Sequence, residues 1–66
     1  MYPILDLNLY AKKISRGTIA SRLGISTRTF SNKMHGKTPF TWNEVKAIHD
    51  EFFPDIPIEE LFKPSA

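Results

Sequence analysis

Apolar residues along this chain recur at the spacing of helices. Leu5 and Leu9, with Ala11 beyond them, share one side of a short first helix, which Pro3 precedes as an N-terminal breaker. Ser15 carries a hydroxyl that can accept a backbone N–H, and so caps a second helix whose inward residues are Ile19, Ala20 and Leu23. Gly24 ends that helix, because glycine tolerates the left-handed conformation that a tight exit demands. Ile25 then returns to the core, Ser26 caps again, and a third helix runs from Thr27 to about Met34 before Gly36 stops it. Thr41-Trp42-Asn43-Glu44 has the form of a capping box, in which the Thr hydroxyl and the Glu carboxylate each satisfy a backbone donor. The fourth helix that it opens places Val45, Ile48 and Phe52 at i, i+3 and i+7, and Pro54 closes it. Pro57 begins a last turn through Phe62. No stretch alternates with the period of two that a strand requires. The expected fold class is therefore all-α, a compact bundle of four to five short helices.

Length restricts this reading. A chain of 66 residues has room for one domain, 1–66, and buries only about 60% of the surface its unfolded form exposes. A core that thin argues against most enzyme folds. The 41% hydrophobic and 24% charged content fit a globule and not a disordered tail. With no cysteine there is neither a disulfide framework nor a thiolate metal site, and a reducing compartment is expected. The opening Met1-Tyr2-Pro3-Ile4-Leu5-Asp6 has no basic leader or long apolar run, so no signal peptide or membrane span is expected, and the cytoplasm is the expected location.

Charge is segregated along the chain. Between Leu7 and Asn43 stand Lys12, Lys13, Arg16, Arg22, Arg28, Lys33 and Lys37 with no Asp or Glu among them. From Glu44 onward six acids face two lysines, and the formal net charge is +2. A solvated basic face accounts for such a run. So does a polyanion footprint, in which clustered Lys and Arg attract phosphates while the acidic end disfavours docking the wrong way round.

Two short helices joined at Gly24, inside the basic half, predict a helix-turn-helix. On a wheel of about 100° per residue Thr27, Arg28, Ser31 and Asn32 fall within about 140° of one another, with Phe30 and Met34 on the other side. One face is apolar and the other can read bases. Arg bonds two acceptors of guanine, Asn pairs both ways with adenine, and Ser and Thr add looser major-groove contacts. Simple solvation accounts for any one of these residues taken alone, but a merely solvated helix usually carries Asp or Glu as well. At the start of the second helix Ser15 and Arg16 are expected to position a phosphate. Gly17 either leaves the backbone N–H groups there unshielded or is merely tolerated.

The segment Arg16-Gly17-Thr18-Ile19-Ala20-Ser21-Arg22-Leu23-Gly24-Ile25-Ser26-Thr27-Arg28-Thr29-Phe30-Ser31-Asn32-Lys33 resembles the helix-turn-helix of phage repressor and Cro-type DNA-binding proteins. Gly36-Lys37 after it fits the same pattern. Phe52-Phe53-Pro54-Asp55 and Ile58-Glu59-Glu60-Leu61-Phe62 look like the close of small prophage-encoded members, and the likeness covers roughly residues 14 to 62. It implies a lambda-repressor-like fold and a location in the cytoplasm of a bacterial host. It also implies that Lys37 and Thr38 lie on the loop that follows the sugar-phosphate chain. Two positions depart from the family. Many relatives have Gln where Arg16 stands, and Arg there implies a phosphate contact. Relatives often bury an apolar residue where Lys33 stands. Here the Lys33 stem is expected to pack across the helix pair with its ammonium emerging toward DNA, while Met34 takes over the core role.

The remaining residues are expected to be structural. Phe40 and Trp42 should cover the start of the fourth helix, a base-stacking role being the alternative. His35 and His49 have no cysteine and no shared face for a metal, and Asp55, Glu59 and Glu60 have no nucleophile or partner base. Neither catalysis, a cofactor nor a small-molecule ligand is expected. The expected function is sequence-specific binding of double-stranded DNA as a phage or prophage transcriptional regulator, a repressor that occupies an operator. The alternative is an interaction module such as an antitoxin or assembly protein. Because one such domain reads few base pairs, two copies are expected on DNA. Phe53, Ile56, Ile58 and Phe62 either join the subunits of this homodimer or close the core.

Overall fold

A computed structural model describes residues 1–65 as five helices with no strand among them: α1 (Pro3–Ala11), α2 (Arg16–Leu23), α3 (Thr27–Met34), α4 (Trp42–Phe52) and α5 (Ile58–Leu61). The all-α expectation holds. Local chemistry explains each boundary. The hydroxyls of Ser15, Ser26 and Thr41 accept the backbone N–H of Thr18, Thr29 and Glu44, and the Glu44 carboxylate accepts the Thr41 N–H in return, completing the capping box. Pro3 does not precede α1 but is its first residue, where a ring that fixes φ and lacks an N–H costs nothing.

The first three helices leave by the same hydrogen-bonded turn. The N–H of Ile14, Ile25 and Lys37 reaches back to the carbonyl of Leu9, Ala20 and Asn32, and the residue before each has a positive φ. Two of those residues are glycines, Gly24 at 73° and Gly36 at 79°. The third is Lys13 at 57°, a conformation that disfavours an L side chain.

Leu5, Leu9, Ile19, Ala20, Phe30, Met34, Ile48, Phe53 and Leu61 form the buried core, which thus draws on every helix. Phe40, on the loop before α4, joins it to a ring cluster, lying 5.4 Å from Tyr2, 5.5 Å from Phe62 and 5.9 Å from Phe30. At the C-terminal end Phe53 is fully buried, and Ile56 and Phe62 are half-buried against the core. These side chains close the core, so they leave little apolar surface to join a second subunit, and only half-buried Ile58 stands apart from them. The exposed large apolar side chains lie elsewhere, at Met1, Leu7, Tyr10 and Trp42. Trp42 therefore departs from its expected covering role, being 63% exposed, while Phe40 does cover the entry to α4. No helix among the described residues is long and apolar enough to cross a membrane.

Candidate nucleic-acid interface

Helices α2 and α3 pack against each other across a three-residue turn, Gly24 to Ser26. Gly24 reverses the chain, Ile25 tucks half-buried against the core, and Ser26 restarts the helix. Phe30 and Met34 hold α3 to the core, which leaves the first turn of α3 facing outward. Thr27 and Arg28 are exposed there, and Ser31 and Asn32, one turn on, are half-buried along the same side. Neither α2 nor α3 carries an acid. Among the described residues no carboxylate or hydrogen-bond acceptor meets the Arg28 guanidinium, the Lys37 ammonium or the Thr38 hydroxyl.

Of the other bases of this run, all but exposed Lys13 are engaged. Arg16 reaches Asp6 of α1 at 3.1 Å and donates to the Ser31 hydroxyl at 3.3 Å, so it bridges α1 to the outer side of α3. The Ser31 hydroxyl hydrogen has no acceptor among the described residues. Arg22 is turned away altogether, its guanidinium lying bidentate on Glu51 of α4. Lys12 donates to the Phe52 carbonyl at 3.3 Å, with its ammonium 5.0 Å from the Phe53 ring centre. The basic field therefore narrows to Lys13, Arg28 and Lys37, with Arg16 held in reserve by Asp6.

Lys33 departs most from its expected place as a DNA-backbone contact. Its stem packs as expected, but its ammonium turns inward, 2.9 Å from the Glu44 carboxylate and 3.1 Å from the Pro39 carbonyl. A lysine buried to 9% exposure needs such partners, and the capping-box carboxylate is the nearest acid. Burial pushes the Glu44 carboxyl upward. The Thr41 N–H and hydroxyl together with Lys33 outweigh that, and hold it below its ordinary value. The Lys33–Glu44 pair thus ties α3, the loop carrying Lys37 and Thr38, and the start of α4 into a unit. No sequence pattern marked this pair, although the capping box identified the carboxylate.

At the start of α2 the Ser15 hydroxyl is committed to Thr18, accepting its N–H at 3.1 Å and bonding its hydroxyl at 2.9 Å. The N–H groups of Arg16 and Gly17 have no acceptor among the described residues. A Cβ on Gly17 would lie 3.6 Å from the Thr27 hydroxyl, an ordinary contact, so space alone does not demand glycine there. The structure thus places Arg16, Gly17, Thr27 and Ser31 beside one another, with Arg28 and Asn32 on the same helix. Lys37 and Thr38 stand exposed past its end. Trp42 is the exposed residue that sequence reasoning assigned elsewhere. Its place about 120° round α4 from Ile48, outside the apolar stripe, was the available signal.

No family model, curated protein or solved structure matches the chain.

Proposed function

We propose that the protein binds double-stranded DNA sequence-specifically through α3, as a helix-turn-helix regulator of the phage repressor and Cro type that represses by occupying an operator. The observation that supports this best is Arg28, unpartnered among the described residues on an exposed, acid-free helix start, with Thr27, Ser31 and Asn32 along the same side. Thr27, Arg28, Ser31 and Asn32 read base edges; Arg16, the free amides at Gly17, Lys37 and Thr38 hold the backbone. Ser15 serves through its cap, and Lys33 serves by fixing the loop. Two copies occupy half-sites about one helical turn, or ~34 Å, apart. With extents of 25 × 24 × 21 Å, neighbouring copies at that spacing come close to touching.

The test is selection of bound duplexes from a random pool, followed by binding of Arg28→Ala to the preferred duplex and to each of its single-base changes. Arg28→Ala should cost ~1–3 kcal/mol on the preferred duplex and relax discrimination at one base pair. Wild-type affinity should fall with salt, log against log, by about 0.9 per phosphate contacted. A flat salt response, or unchanged base preference in Arg28→Ala, would overturn the proposal. An interaction module is favoured by one observation only, the exposed Leu7 and Tyr10 on α1.

A further inference from the structure

The outer side of α1 is apolar where solvent is expected. Leu7 is 66% and Tyr10 85% exposed, and with exposed Pro3 they form a stripe at helical spacing. Beside the stripe runs an open groove of about 510 Å³ floored by Leu9 and Ile14 and edged by the Asp6–Arg16 pair. Nothing among the described residues covers it.

We propose that the occupant is a second copy of this chain, docked through α1 about a two-fold axis. A two-fold contact requires the same patch to supply both the projecting side chain and its receptacle. Here Tyr10 and Leu7 project from the patch that holds the groove, so each copy can seat a side chain in the other. Charge selects the orientation. Asp6, still exposed beside Arg16, lies in the first turn of α1, and exposed Lys13 follows its last, so antiparallel helices set acid against base while parallel ones set like against like.

Area sets the strength of the contact. Nine residues make a helix about 14 Å long, too short to approach the roughly 1,200 Å² of a stable interface. The pair is therefore weak in free solution and forms fully where another surface holds two copies together. Its assembly on two DNA half-sites rests on the reading above; the α1 contact itself does not.

The deciding experiment follows Leu7 methyl and Tyr10 ring NMR signals of the free protein from tens of micromolar to about one millimolar, the range in which such a small contact forms. These signals should move with concentration, and should stand still in Leu7→Gln and in Tyr10→Ser, both exposed positions where the fold is retained. Leu7→Cys should form a disulfide-linked pair under a mild oxidant, cleanly read because the chain has no other cysteine, while Glu59→Cys, at an exposed position, should not. On a duplex with two half-sites the second copy should bind about tenfold tighter than the first. Leu7→Gln should load the two sites independently with unchanged affinity for one. Static Leu7 and Tyr10 signals, or movement confined to Ile56 and Phe62, would overturn the proposal. Failure to bind any duplex would count against the DNA reading alone, and the concentration series would still decide the α1 contact.

Discussion

Arg22 and Arg28 stand on either side of the same turn and meet opposite surroundings. Arg22, late in α2, lies on Glu51 of α4 and fastens α2 to the acidic half of the molecule. Arg28, early in α3, meets no partner among the described residues. The contrast extends along both helices. In α2 both arginines are paired, Arg16 with Asp6 and Arg22 with Glu51. In α3 the lysine facing inward is paired with Glu44, and the arginine facing outward is free. A row of like charges in the sequence is thus two populations in the fold, one that holds helices together and one available to a polyanion. Counting bases overstates the second.

The largest effect expected from disturbing this division is at Lys33. Lys33→Met keeps the packed stem but leaves Glu44 and the Pro39 carbonyl without the ammonium, and should cost about 1–3 kcal/mol of stability, read from the urea midpoint. The same variant changes the acid limb. Glu44 lies below its ordinary value of 4.5 in the folded protein, so its contribution is complete above that value and is lost as pH falls through the lower, folded one. Wild-type stability should therefore decline below about pH 4.5 more steeply than that of Lys33→Met. If Lys33 instead contacted phosphate, its removal would lower the salt slope of DNA binding, which is expected to stay unchanged.

A smaller effect is expected at Asp6. Asp6→Asn releases Arg16 while leaving its bond to Ser31, and should steepen the salt dependence of duplex binding by up to about one phosphate's worth. An unchanged slope would show that Arg16 belongs with Arg22 among the fastening residues. The smallest effect is expected at Arg22 itself. The pair lies exposed at the surface, so Arg22→Ala should leave both the denaturation midpoint and the base preference nearly in place. A loss of base preference in that variant would erase the distinction between the two arginines.

How much of this could be read beforehand depends on the range of the interaction. Helix boundaries were legible because their causes are local: Ser15, Ser26, Thr41 and Glu44 cap within three residues, and Gly24 and Gly36 supply the left-handed exits. The face of α3 was legible because Phe30 and Met34 fix its rotation. Partners distant in sequence were not. Arg22 finds Glu51 and Arg16 finds Asp6 only when α4 and α1 come alongside. Periodicity likewise names the apolar side of a helix without saying which neighbour covers it. For that reason the sequence left Phe53, Ile56 and Phe62 open between a subunit contact and the core that they fill.

Trp42 gives the molecule an optical property that follows from its position. It is the single tryptophan of the chain, and in the native state most of its indole already lies in water. Its emission in the folded protein should resemble that of the unfolded chain, which makes it a poor reporter of denaturation. The same exposure, at the start of α4 just past the loop of Lys37 and Thr38, makes it a sensitive reporter of anything that settles there. Quenching by a small soluble agent in the absence and presence of a bound macromolecule would register approach to that end of the protein without any label.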